Sequence, residues 1–104
     1  MLLSPQLVIY IKLLNFIVMY TNEQIKATLK NIFVDTTGYN PFETSDSFYH
    51  RNIKIRFLLD ELDIIELVVK MEMEFRINIS GHETEKIGCM NIEALVNFIS
   101  SKCS

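Results

Sequence analysis

The sequence is poor in the residues that build disulfide scaffolds and metal centres. It contains two cysteines and two histidines among 104 residues. Cys89 and Cys103 do not form a Cys-x-x-Cys motif, and two cysteines do not make a disulfide framework. His50 and His82 have no neighbouring ligands at metal-binding spacing. We therefore expect no metal site, and two reduced thiols in a cytoplasmic protein.

Strand-forming patterns and catalytic residue sets are also absent from the sequence. No segment alternates apolar and polar residues with the period of two that indicates a half-buried strand. No Ser/His/Asp or Cys/His set is apparent, so we do not expect an enzyme. The formal net charge of −3, from 13 acids and 10 bases, argues against a nucleic-acid partner. The length indicates a single domain, and that domain is expected to be all-α.

Residues 1–20 are nearly all apolar and form an N-terminal extension of unusual composition. A secretory signal is not favoured, because a basic start and a small-residue cleavage site are missing. A membrane span needs roughly 20 apolar residues, and Lys12 near its centre would cost about 2.5–3.5 kcal/mol. The favoured interpretation is a start-site artefact, with Met19 as the true start, or a dispensable extension. An extra helix packed on the domain or on a second copy comes next, and membrane contact is least favoured.

Four helices are predicted from capping residues that precede apolar residues at helical spacing. The expected N-caps are Thr21, Asp60, Ser80 and Asn91. The first helix should end by residues 36–38, and the short third helix should end at Ile87, before Gly88. The buried faces expected for the first and last helices are Ile25, Leu29, Ile32, Phe33, Ile92, Leu95, Val96 and Ile99. The polar tail, residues 101–104, is expected to fray together with Ser100.

Residues 36–59 are predicted to be a long loop between the first two helices. Its apolar side chains are expected to insert into the core, and they are Phe42, Phe48, Ile53, Ile55, Phe57 and Leu58. Its basic cluster is interpreted as a solvated loop face in preference to a binding site, and comprises His50, Arg51, Lys54 and Arg56. The predicted fold is a small irregular antiparallel four-helix bundle of three main helices and a short third one.

The helix that starts after Asp60 carries two apolar strips. The strip expected to be buried comprises Ile64, Leu67, Val68, Met71 and Phe75. A second strip, Leu62, Ile65 and Val69, lies beside the acids Asp63, Glu66 and Glu72. It is either a docking surface or part of one wide core face, and the residues alone favour neither. Six carboxylates against Lys70 between residues 60 and 74 would favour a basic partner surface.

Several segments, in order, resemble acyl carrier proteins. Residues 60–63, Asp-Glu-Leu-Asp, resemble the Asp-Ser-Leu-Asp that opens the modification-site helix of that family, and residues 62–68 resemble the rest of its recognition helix. Glu72, Glu74 and Phe75 match the end of that helix, and residues 83–87 and 91–99 resemble its third and fourth helices. The resemblance covers about residues 19–100. It implies a carrier-like domain at residues 21–100 and basic surfaces of acyl-processing or transferase enzymes as partners.

The main departure from the family is at Glu61. The resemblance places Asp60, Glu61 and Leu62 at the attachment site of 4′-phosphopantetheine, with Glu61 at the position of the modified serine. Transfer of that arm requires a hydroxyl oxygen that attacks the pyrophosphate of coenzyme A, and a carboxylate gives no stable phosphodiester. We therefore expect Glu61 to be unmodified and no cofactor to be carried. Lys70 and Met73 also dilute the acidic face.

Three functions follow as expectations. The first is a degenerate carrier that acts as a partner-docking module through Leu62, Asp63, Ile65, Glu66, Val69 and Glu72. The second is a working acyl carrier in fatty-acid, polyketide-type or secondary-metabolite synthesis. The third is a membrane-tethered helical interaction domain defined by residues 1–20.

Overall fold

A computed structural model describes residues 5–6 and 20–104. All regular secondary structure in this part of the chain is helical, as predicted. The helices from residue 22 onward are α1 (Asn22–Thr37), α2 (Ile53–Arg56), α3 (Glu61–Phe75), α4 (Gly81–Ile87) and α5 (Ile92–Cys103). The predictions for the apolar extension, including a start at Met19, concern residues that lie mostly outside the described ones.

The predicted N-caps are all confirmed. Thr21 Oγ1 accepts a hydrogen bond from the Gln24 N–H at 3.2 Å, and the Gln24 side chain accepts one from the Thr21 N–H at 2.9 Å. Reciprocal capping boxes of the same kind start α3 at Asp60 and α4 at Ser80, and the Asn91 side chain caps α5. Each cap satisfies backbone donors that a helix start leaves open, which typically stabilises a helix by about 1 kcal/mol.

The predicted end of α1 is confirmed at Gly38. This glycine has the left-handed φ of 82°, and its N–H donates to the Val34 carbonyl at 2.9 Å. A side chain at this φ would be strained, so glycine suits the position. The chain can therefore turn away from α1 and enter the connection to α2.

The core lies where α1 packs against α3 and α5, with α4 against α3. Every residue predicted for the buried faces of these helices is buried. Ile53, Ile79 and Ile87 complete the core from α2, from the link after α3 and from α4. Because the periodic apolar faces meet each other, burial of these side chains is the main stabilising contribution.

The connection between α1 and α3 contains a short helix, α2, that was not predicted. The Asn52 side chain caps it by accepting the Ile55 N–H at 2.8 Å. The Ile53 N–H donates to the Met90 carbonyl at 2.9 Å, which ties the start of α2 to the loop between α4 and α5. Of the six predicted apolar insertions, Ile53 is fully buried and Phe42 and Phe57 are partly buried against the core. The prediction is wrong for the exposed side chains Phe48, Ile55 and Leu58.

Arg56 does not belong to a solvated basic face, and that interpretation is wrong for this residue. Its side chain is 1% exposed, and its Nε donates to Asp46 Oδ2 at 2.9 Å. Its Nη1 donates to the Pro41 carbonyl at 2.7 Å. The guanidinium also lies over the rings of Tyr49 and Phe57, at 4.9 and 4.6 Å from their centroids. We call this arrangement the Arg56 clamp, because it fixes residues 41–49 of the connection against α2.

Tyr20 and the C-terminal residues are both attached to the bundle. Tyr20 contacts Phe75 edge-on with ring centroids 5.3 Å apart, and its hydroxyl donates to the Glu74 carbonyl at 3.3 Å. The expected fraying after residue 99 is wrong up to Cys103, because α5 continues to that residue. Lys102 Nζ donates to Glu83 Oε1 at 2.8 Å, which links α5 to α4. Cys89 is an exposed free thiol, whereas Cys103 is partly buried, and burial raises the pKa of its thiol.

Candidate functional site

Helix α3 exposes an apolar stripe on the side opposite its buried face. Leu62, Ile65, Val69 and Met73 follow one another at i, i+3, i+7 and i+11, and they are 74%, 50%, 47% and 72% exposed. This spacing places them on one face of the helix. One wide core face would have buried them, so that alternative is wrong. We call these four residues the α3 stripe.

Met73 extends the stripe beyond the three residues predicted from the sequence. The signal was available, since Met73 follows Val69 by four residues, but it was interpreted only as a dilution of the acidic charge. Methionine is common at surfaces that accept varied partners, because its side chain is flexible and polarisable. The stripe therefore runs along most of α3, and full burial of each such side chain by a partner would contribute about 1.5–3 kcal/mol.

The predicted acidic docking residues differ in how freely they face solvent. Glu61 and Glu66 are exposed. Asp63 is partly buried, and its carboxylate accepts the Asp60 N–H at 3.0 Å in the capping box of α3. Glu72 is partly buried as well, and its Oε2 accepts the Ile79 N–H at 3.1 Å. Asp63 and Glu72 thus have structural roles. Glu66 is exposed but lies 3.4 Å from Lys70 Nζ, so Glu61 is the predicted acid best placed to meet a partner.

Lys70 reduces the acidic charge of α3 less than its position suggests. Its Nζ donates to Asp35 Oδ2 at 2.7 Å and to Thr36 Oγ1 at 3.1 Å, and it lies 3.4 Å from Glu66 Oε1. The hydrogen bond with Asp35 raises the pKa of Lys70 and lowers the pKa of Asp35. Because Lys70 is directed toward the end of α1, it does not neutralise the carboxylates of Asp60 and Glu61 at the start of α3.

A groove of about 640 Å³ lies between α3 and α4, beside the stripe. Ile65 and Val69 line both the groove and the stripe, whereas Lys54 and Glu61 are its charged lining residues near the start of α3. Its remaining lining residues are Ile64, Val68, Glu72, Ile79, Gly81, Thr84, Glu85 and Gly88. The sequence did not reveal the groove, because its walls come from segments that only tertiary packing brings together.

Glu61, Asp60 and Leu62 lie together at the start of α3, where the resemblance places the attachment site. Asp60 is the N-cap, Glu61 is the first helical residue and Leu62 begins the stripe. A carboxylate in the first turn interacts favourably with the helix dipole, by about 0.3–1 kcal/mol. Glu61 can therefore stabilise the helix and attract a basic group, but it offers no hydroxyl for phosphopantetheine transfer.

Residues 5–6 and 20–104 contain neither a metal-binding cluster nor a membrane-spanning helix. No group of three or more His, Cys, Asp or Glu side chains there is arranged to hold a metal ion. Within the same residues, no helix has both the length and the apolar character needed to cross a bilayer.

Comparison with known proteins gives no assignment for the chain. No protein-family model matches the sequence, and no solved structure matches it.

Proposed function

We propose that this chain is a degenerate carrier-type domain, a non-catalytic module that docks on a basic partner surface without carrying a phosphopantetheine arm. The observation that carries the proposal is the α3 stripe, which stays exposed beside the carboxylates of Glu61 and Glu66. An exposed apolar surface with a polar rim is typical of a protein-interaction site.

The arrangement of the helices supports the carrier-type part of the proposal. The three longer helices and the short α4 occur in the order, and close to the bounds, that the resemblance to acyl carrier proteins implies. Helix α2 is an addition within the long connection. On this proposal, α1, α3, α4 and α5 correspond to the four helices of the carrier family, and residues 60–62 at the start of α3 correspond to its attachment site.

The charge around the stripe supports a basic partner, namely the docking surface of an acyl-processing or transferase enzyme. Glu61 and Glu66 are exposed on α3. Lys70 donates to Asp35 and lies 3.4 Å from Glu66, so Glu61 contributes most of the unpaired negative charge beside the stripe. Complementary charge accelerates encounter and selects between partners, whereas burial of the apolar residues supplies affinity. Binding should therefore weaken with added salt but persist in part at an ionic strength where exposed charges are screened.

The proposal is tested by intact-mass measurement after incubation with coenzyme A and a broad-specificity phosphopantetheinyl transferase. We expect no mass change for the native chain, because Glu61 offers no hydroxyl. We expect the Glu61→Ser variant to gain the mass of one phosphopantetheine, because the helix and its docking face are kept. The Glu61→Ala variant is the matched control and should gain nothing.

The outcomes separate the two carrier hypotheses. A gain of one phosphopantetheine by the native chain would refute the degenerate reading and favour a working acyl carrier. The groove between α3 and α4 is the observation that favours this second candidate, since its apolar lining beside Glu61 could accommodate a hydrocarbon chain. Failure of folded Glu61→Ser to gain the arm would count against a carrier-type docking face.

A further inference from the structure

Leu58, two residues before the N-cap of α3, is the most exposed large apolar side chain in the described part of the chain. It is 89% exposed, and Ile55 in the preceding helix α2 is 54% exposed. Leu62, which begins the α3 stripe, follows Leu58 by four residues. The apolar surface of α3 thus extends beyond the helix into the corner between α2 and α3.

This corner is held in a defined conformation. The Leu58 N–H donates to the Ile55 carbonyl at 3.4 Å, and the Leu59 N–H donates to the Lys54 carbonyl at 2.9 Å. Phe57 and Leu59, on either side of Leu58, are partly buried against the core. Because Phe57 and Leu59 hold the backbone against the core, the Leu58 side chain is directed into solvent from a fixed position.

Folding does not account for a leucine at this position. The side chain is too exposed to contribute much by burial, and its φ of 55° lies in the left-handed region that disfavours leucine. Glycine or asparagine would suit this backbone better. An exposed leucine on a fixed corner can, however, enter a partner's pocket with little loss of backbone freedom.

We infer that Leu58 is an anchor residue of the docking surface, inserted into an apolar pocket that Lys or Arg residues border on a partner enzyme. The charge of the pocket rim follows from Asp60 and Glu61, which are exposed just beyond Leu58. Of the two basic residues of α2, Lys54 is exposed, whereas the Arg56 side chain is buried and paired with Asp46. Buried anchor side chains at the centre of an interface contribute most of the binding energy. This inference rests on the proposed function, because it concerns the same docking surface.

The test uses the Glu61→Ser chain as the parent and a broad-specificity phosphopantetheinyl transferase as the probe. Leu58→Asn removes the apolar side chain and introduces a residue that tolerates the left-handed backbone, and Leu58→Gly serves as a second such variant. Leu58→Met keeps an apolar side chain. Phe48→Ala is the matched control, because Phe48 is an exposed apolar residue, at 53%, outside the proposed surface.

We expect Leu58→Asn and Leu58→Gly to raise KM about tenfold or more, as loss of an anchor does, with kcat within about twofold of the parent. Leu58→Met and Phe48→Ala should keep KM close to that of the parent. If Leu58 had a purely structural role, the Asn and Gly variants would instead have a lower unfolding midpoint, and both their kcat and their KM would change.

Two results would overturn the inference, and they differ in their effect on the proposed function. If the parent is modified and the Asn and Gly variants match its KM, Leu58 is not an anchor and the proposed function stands. If the folded parent is not modified at all, the proposed function fails and the inference that rests on it fails as well.

Discussion

Removal of the Arg56 clamp should lower the free energy of unfolding of this small domain by a large fraction. The Arg56→Ala substitution deletes a guanidinium whose side chain is 1% exposed. It removes a charge-assisted hydrogen bond to Asp46 at 2.9 Å and a second hydrogen bond to the Pro41 carbonyl at 2.7 Å. It also removes the contacts of the guanidinium with the rings of Tyr49 and Phe57.

The magnitude follows from the two short hydrogen bonds and the cation–π contacts. Hydrogen bonds of a charged group contribute about 1.5–3 kcal/mol each, and each cation–π contact adds about 0.5–1 kcal/mol. The Asp46 side chain is 32% exposed, so water can replace part of its lost partner. We therefore expect a loss of about 3–5 kcal/mol, in the range measured for disrupted buried ion pairs. This is a large share of the roughly 5–15 kcal/mol that stabilises a typical domain.

The assay is urea-induced unfolding followed by the helical circular dichroism signal. Arg56→Lys is the matched control, because lysine keeps the charge but cannot direct separate donors at Asp46 and Pro41 at once. It should lose less stability than Arg56→Ala. A loss below about 1 kcal/mol for Arg56→Ala, as for a solvated surface pair, would refute the clamp.

Three further predictions concern single helices and loops. Leu67→Ala should lower the free energy of unfolding by about 2–5 kcal/mol, because Leu67 is fully buried. Leu62→Ala should change it by no more than about 0.5 kcal/mol, because Leu62 is exposed. Equal losses for the two variants in urea unfolding would contradict an exposed stripe. Leu58→Gly should raise the free energy of unfolding by up to about 1 kcal/mol by relieving the left-handed φ, less the entropy cost of glycine, and a clear loss in the same assay would contradict that conformation. The hydrogen bond from Lys102 lowers the pKa of Glu83. The pair therefore adds to the free energy of unfolding at neutral pH, and this addition is lost as the pH falls from the ordinary pKa of glutamate through the lower pKa of the folded state. Thermal unfolding across this acidic range should show a smaller decline for Glu83→Gln, and an identical decline in both proteins would assign the effect to other groups.

The helix starts and buried faces could be predicted because their causes are local. A cap and the N–H it accepts lie within three residues, as Thr21 and Gln24 do. The buried faces repeat with the helical period, so Ile64, Leu67 and Val68 could be assigned without tertiary information. Helix α2 was missed because four residues are too few for that period to be visible, although Asn52 carries a capping signal.

The remaining features depend on residues that are distant in the sequence. Arg56 was interpreted as solvated because its partners Asp46 and Pro41 lie 10 and 15 residues away. The structural role of Glu72 depends on the course of the chain to Ile79, and the groove depends on α4. The exposure of the α3 stripe also required the structure, because sequence pattern could not separate a second surface from a wide core face.

The contact between Tyr20 and Phe75 has a consequence for how the domain can be tethered. Helix α3 has 15 residues, so its two ends are roughly 22 Å apart. Tyr20 contacts the Phe75 end of α3, whereas Glu61 and Leu58 lie at the other end. A linker, label or solid support attached at Tyr20 would therefore hold the domain by the end of α3 remote from Glu61, with its docking end outward and accessible to an incoming enzyme.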